Sequence, residues 1–322
     1  MTDPAPSPPA DPVRRALPDG ATLGTWHAPD GWPLRTFDWP APAGRERGAI
    51  LFQTGRGDFF EKYLETLAYW HSRGWRITAF DWRGQAGSGR LTPAPHVGHI
   101  DDYATYIADL RAFWAEWAAG VTGPKVAIGH SMGGHLLLRG LAEGAIAPDA
   151  AVLVAPMLGL HAPGGAAIGE RVARLIGALG KPARPAWKGN ERPHTMIPRQ
   201  KLLTTDLDRY ADELWWQQQD PRLITGPPSW RWVVQGFEST RLLRASPALA
   251  TLSTPVLMLV AEADRLVDPR AALAVAAKLP DVRVVRFGAE SAHEILRECD
   301  AVRDRALVEI DDFLETRVGV QG

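Results

Sequence analysis

The run Gly129-His130-Ser131-Met132-Gly133 constrains the chain more than any other stretch, because an apolar run, Val126-Ala127-Ile128, precedes it and a helix-forming run, His135 to Arg139, follows. A serine with glycine two residues away on each side fits a strained strand-to-helix turn, where bulkier neighbours would strike the adjoining strand and helix. Such a turn lifts the Ser131 hydroxyl out of a sheet. It also puts the Met132 N–H at a helix N-terminus, where it can stabilise an oxyanion. With 31 glycines in the chain the pentapeptide can arise by chance. The strand before it, the helix after it and the extra close-packing position at Gly134 single this copy out.

A serine hydroxyl is a poor nucleophile at neutral pH, so the reading requires an acid and then a histidine later in the chain. An unbroken apolar run from Pro255 to Ala261 reads as a buried parallel strand, and Asp264 lies just past its carboxyl end. Two rivals are near: Glu262, and Asp268, which precedes Pro269 and looks like a helix N-cap. Asp264 is preferred by placement. The base candidate is His293, in a loop of small residues after the strand-like run Val282 to Phe287, where it is expected to open a helical segment. His130 is expected to point away from Ser131, and His135 to sit on the following helix.

These pieces, with Asp81-Trp82-Arg83-Gly84-Gln85-Ala86-Gly87-Ser88-Gly89 and Leu203-Thr204-Thr205-Asp206-Leu207-Asp208-Arg209-Tyr210, resemble α/β-hydrolases of the bacterial lysophospholipase and monoacylglycerol lipase-like group, related to the serine aminopeptidase-like hydrolases. The likeness runs from about residue 20 to the C-terminus. It implies that Ser131, Asp264 and His293 are nucleophile, acid and base. Where many relatives carry His-Gly, this chain has Thr54-Gly55-Arg56-Gly57, so the second oxyanion donor is expected to be the Arg56 N–H. The Arg56 guanidinium could hold a substrate phosphate or glycerol group. The plainer reading, that only its backbone matters, is preferred. Ala86 stands where a glycine is common, in a loop read as structural.

Strands alternate with helices from Thr22 to Pro156 and again from Pro255, which implies a mostly parallel sheet with helices on both faces. Phe60, Tyr63, Leu64 and Leu67 mark one helical face, and Tyr103, Ile107, Leu110, Trp114 and Trp117 mark another. Roughly a hundred residues separate the two halves, too many for a simple connection. The expected division is a disordered tail over 1–20, an α/β-hydrolase core over 21–158 and 250–322, and a helical cap inserted over 159–249. Within the insert, Val172, Leu175, Ile176 and Leu179 should form one apolar face; Asp206 and Ser229 should each begin a helix. Trp187, Trp215, Trp216, Trp230 and Trp232 make it aromatic. Most of these should pack the insert onto the core, leaving one or two, with Trp230 and Phe237 the candidates, for an acyl-chain wall.

Composition narrows the chemistry. A net charge of −1 over 322 residues leaves no electrostatic footprint for nucleic acid. The single cysteine, Cys299, excludes an intrachain disulfide and reads as a small buried residue of the last helix. No metal-ligand spacing is present, so neither metal nor organic cofactor is expected. There is neither a signal-peptide core nor a membrane-spanning apolar run, so a cytoplasmic enzyme with at most peripheral lipid contact is expected. The partner is then a small acyl ester, with lysophospholipids or monoacylglycerols favoured by resemblance. An aminopeptidase or amidase would need a carboxylate for the substrate ammonium, for which Glu191, Asp212 or Glu213 could serve. A binding protein without turnover is disfavoured by the intact Ser131, Asp264 and His293. An aspartate-nucleophile hydrolase is disfavoured by the serine in the turn.

Overall fold

The computed structural model describes residues 12–162, 165–178, 180–187 and 199–319. Eight strands form one sheet in the order β1-β2-β4-β3-β5-β6-β7-β8. The hairpin β1 (Thr22–His27) and β2 (Pro33–Trp39) is antiparallel and joins β4 (Trp75–Phe80) antiparallel. From β4 onward the pairings through β3 (Gly48–Gln53), β5 (Lys125–His130), β6 (Ala150–Val154), β7 (Val256–Ala261) and β8 (Val282–Phe287) are parallel. All residues of β6 and β7 are buried, as expected of central parallel strands covered on both faces.

Two cores follow from the pleat. One face packs α3 (Tyr103–Ala119) and α4 (Met132–Ala142), with the Tyr103, Ile107, Leu110, Trp114 and Trp117 stripe buried. The other packs α2 (Leu64–Ser72) and α10 (Asp300–Val318). α9 (Pro269–Ala276) links β7 to β8. No described helix is long and apolar enough to cross a membrane.

Between β6 and β7 the chain builds α5 (Ala166–Ala178), α6 (Arg199–Leu203), α7 (Leu207–Gln219) and α8 (Trp230–Ala245). Asp206 and Ser229 cap α7 and α8, their side chains accepting from Arg209 N and Trp232 N. α5 departs from expectation. Val172 and Leu175 are 48% and 63% exposed, Ile176 is only partly buried, and Leu179 lies outside the described residues. The face turned to α8 carries Gly169, Ala173 and Gly177. A Cβ on Gly169 would come within 3.1 Å of the Phe237 ring, so close helix approach selects small residues there and turns the large apolar ones outward.

Two further expectations change. Residues 12–15 form a helical turn, α1 (Pro12–Arg15), rather than featureless tail; Arg14 and Arg15 pair with Asp212, and Trp216 Nε1 donates to Arg14 O. Residues 1–11 lie outside the described ones. Cys299 is exposed and is the N-cap of α10, because the chain is still entering the helix at that position.

Candidate active site

β5 ends at His130, and Ser131 turns the chain into α4 with φ 53° and ψ −116°, a left-handed backbone that a non-glycine residue adopts only under constraint. Glycine at 133 is required by close approach, since a Cβ there would lie 2.5 Å from the carbonyl oxygens of Gln53 and Thr54. Met132 is the first residue of α4, so its amide is among those a helix leaves without an intrahelical partner.

The three sequence candidates meet. His293 Nε2 lies 2.9 Å from Ser131 Oγ, and Nδ1 lies 2.5 Å from Asp264 Oδ2. Leu266 and Val267 N–H donate to the other Asp264 oxygen at 2.7 and 3.1 Å, fixing the carboxylate from behind. Burial opposes ionisation of Asp264. The His293 charge and hydrogen bond, with the two backbone donors, outweigh it and hold the carboxyl below its ordinary value. The rival acids are occupied elsewhere: Glu262 pairs with Arg286 at 2.9 Å, and Asp268 caps α9 by accepting from Arg270 N. His293 itself lies in a loop, and the helix opens only at Asp300.

The Thr54–Gly57 loop closes over the serine. A Cβ on Gly55 would sit 3.1 Å from Ser131 Cβ, so the Gly55 backbone lies beside the turn, and the next residue, Arg56, lines the cavity. Asp58 accepts from Gly55 N, and Gln85 accepts from Gly57 N. Arg56 Nη1 donates to Gly226 O at 2.9 Å while the guanidinium lies over the Trp232 ring, so this side chain ties the loop to the insert.

Ser131, His293 and Asp264 lie at the edge of a cavity of 730 Å³. One side is apolar, built by Trp187, Trp230, Trp232, Val233 and Phe237 with Val172 and Ala173 of α5. Three of the five insert tryptophans therefore face it. Trp215 and Trp216 pack instead against each other and the α1 segment.

The lining also carries the charged residues Asp58, Lys62, Arg199 and Glu294, a group not anticipated from sequence. Lys62 Nζ lies 2.7 Å from Asp58, 2.9 Å from Glu213 and 2.7 Å from Glu294. Arg297 pairs with Glu294, and Arg199 with Glu213. Three cations thus meet three carboxylates. Burial pushes the Lys62 ammonium down, but the three carboxylates overcome this and raise it; the same opposition leaves Glu294 at about 2. The available signal was a Glu-Lys pair flanked by large apolar and aromatic residues in Phe59-Phe60-Glu61-Lys62-Tyr63-Leu64.

The His130 side chain makes no hydrogen bond to Ser131: its Nδ1 is 3.0 Å from the Tyr63 hydroxyl, and its ring centroid is 4.7 Å from that of His293. His135 lies on α4 and meets Ser239 of α8 at 2.7 Å; burial pushes its pKa down to about 3.

The family profile described as serine aminopeptidase, S33, matches residues 44–300. Lysophospholipase L2 of Escherichia coli K12 is 32% identical over 276 residues, covering 82% of this chain and 79% of that protein. Among solved structures, a soluble variant of monoglyceride lipase from Saccharomyces cerevisiae superposes with TM-score 0.74 at 19% identity, covering 97% of this chain and 99% of that one. The Paleococcus ferrophilus monoacylglycerol lipase gives 0.69 at 19%, covering 88% and 99%. These two likenesses establish an α/β-hydrolase fold. With four-fifths of the sequence matched by the profile and a relative above 30% identity, the chain belongs to the serine aminopeptidase S33 family of α/β-hydrolases.

Proposed function

We propose that the protein is a serine hydrolase of carboxylic esters, acting on lysophospholipids or monoacylglycerols through an acyl-enzyme. The hydrogen-bonded sequence Ser131–His293–Asp264 beside a cavity with one apolar wall carries this reading. Ser131 Oγ attacks the acyl carbonyl while His293 Nε2 takes its proton. Nδ1–H donates to Asp264, which stabilises the imidazolium. Met132 N–H and Arg56 N–H receive the oxyanion. His293 then protonates the leaving alcohol, and water activated by the same nitrogen releases the fatty acid. The acyl chain lies along Trp230 and Phe237.

The relatives' names support the lipid class, the curated one being a lysophospholipase and the structural ones monoacylglycerol lipases. Amide cleavage at a free amino terminus is less well supported. Asp212 is engaged by Arg14 and Arg15, and Glu213 by Lys62 and Arg199; Glu191 lies outside the described residues. We further propose a cytoplasmic location, in keeping with the single cysteine, and peripheral contact with lipid through α5. Its Ile168, Val172 and Leu175 lie exposed at spacings of four and three, and Val172 also lines the cavity.

The test is a panel of lysophosphatidylcholine, a monoacylglycerol, short aryl esters and a prolyl amide, run on wild type and Ser131→Ala, with fluorophosphonate labelling of both. Ester turnover and labelling should vanish in the variant, a loss on the order of 10⁶ in kcat. Labelling of Ser131→Ala at the wild-type rate, or a wild type that cleaves only the amide, sinks the reading.

A further inference from the structure

His293 stands in a stretch without regular structure, between β8 and the turn at Ile295–Arg297. Backbone amides there need partners from elsewhere. The insert supplies them: Glu294 N–H donates to Leu203 O at 2.7 Å, and His293 N–H points to Leu202 O at a longer 3.4 Å. Next along the insert, Thr204 Oγ1 donates to Arg297 O at 2.7 Å.

Glu298 completes the fastening from the other direction. Its side chain is fully buried. One carboxylate oxygen accepts from the N–H of Ala292, the neighbour of His293, at 2.7 Å. The other accepts from Thr205 N at 2.9 Å and Thr205 Oγ1 at 2.5 Å. A single buried carboxylate therefore ties the insert to the residue adjoining the histidine. Arg209 Nη1, on α7, holds the Glu298 carbonyl at 2.7 Å. These residues belong to the Leu203–Tyr210 stretch and have no place in the chemistry described above.

We propose that Glu298, with Thr204 and Thr205, acts as a set of positioning residues that keep His293 in line with Ser131, so that this part of the insert belongs to the reaction machinery rather than to a cover. The inference rests on His293 being the base. Histidine orientation is exacting because proton transfer needs a short, aligned contact. A misplacement of about 1 Å can cost about 100-fold. The Asp264 contact fixes one ring nitrogen; the backbone that carries the ring is fixed by the insert.

Three variants test it: Glu298→Gln, which presents an amide N–H₂ to groups that already donate; Thr205→Val, which deletes one hydroxyl at nearly constant volume; and Thr205→Ser, which restores it. With a short soluble ester, Glu298→Gln should lower kcat roughly 10- to 100-fold and Thr205→Val by about 3- to 10-fold, with KM within about twofold. Thr205→Ser should recover most of the loss, and fluorophosphonate labelling should slow in parallel with kcat. Melting temperatures are measured alongside. Normal kcat and labelling rates with only a lowered melting temperature would overturn the proposal, as a purely structural fastening requires. Should Glu298→Gln fail to fold, the Thr205→Val and Thr205→Ser pair decides alone. His293→Ala separates the two layers: an active His293→Ala refutes the base assignment, whereas an inactive one beside unaffected Thr205→Val refutes only the positioning role.

Discussion

The insert has two parts built on opposite principles. In α6, α7 and the link between them, Leu202, Leu203, Thr204 and Glu213 are buried, and hydrogen bonds and ion pairs join them to the His293 loop and to Lys62. α5 rests on α8 through Gly169 and Ala173 and leaves Ile168, Val172 and Leu175 in the open. Two ion pairs at 3.4 Å, Arg174–Glu238 and Arg241–Glu170, join the same two helices. The first part is thus joined to the core, whereas α5 is seated on α8 and turns its large apolar residues outward. One inserted segment fastens the loop that carries His293 and still leaves an apolar helix face uncovered.

Breaking the fastened part should have the largest effect. Lys62→Met leaves Asp58, Glu213 and Glu294 with fewer cations, and loss of one partner from a buried charge cluster destabilises by about 3 to 5 kcal/mol. Burial alone would raise Glu294; Lys62 and Arg297 bring it to about 2 from an ordinary 4.5. Its contribution is thus complete above pH 4.5 and lost as pH falls toward 2. In the variant Asp58 and Glu294 protonate more readily, so the gap in melting temperature between wild type and Lys62→Met should be widest at neutral pH and narrow below about pH 4.5. A gap that stays constant from pH 7 down to about pH 2.5 would show that Lys62 does not work through the carboxylates.

A smaller effect is expected on the apolar side. Phe237→Ala should penalise long-chain over short esters by about 1 to 3 kcal/mol in kcat/KM. An equal loss along the chain-length series would mean that Phe237 only seats α5. The smallest effect belongs to α5 itself. Replacing Ile168 and Leu175 together by serine should reduce turnover of vesicle-borne substrate about tenfold while short soluble esters stay within about twofold and the melting temperature holds. If the melting temperature drops as in Lys62→Met, the contrast between the two parts collapses.

The features readable in the sequence were those with local signatures. The Ser131 turn is a pentapeptide between a strand and a helix, and Asp264 and His293 each follow an apolar run that had to be a strand. Cap residues Asp206, Ser229 and Asp268 were legible for the same reason. The Lys62 cluster was not, because Lys62 and Glu294 are 232 residues apart and meet only after the sheet and insert close around them. α5 misled because a stripe of large apolar residues is ordinarily the buried face, whereas here glycine and alanine form the contact.

The clip between α1 and α7 also bears on the order in which the chain assembles. Arg15 and Asp212 are separated by 197 residues, so the arginine leaves the ribosome long before its carboxylate exists. At roughly 5 to 20 residues per second, it waits about 10 to 40 s. The ion pair can form only once α7 has been made, so the first of the described residues to be synthesised complete their contacts late.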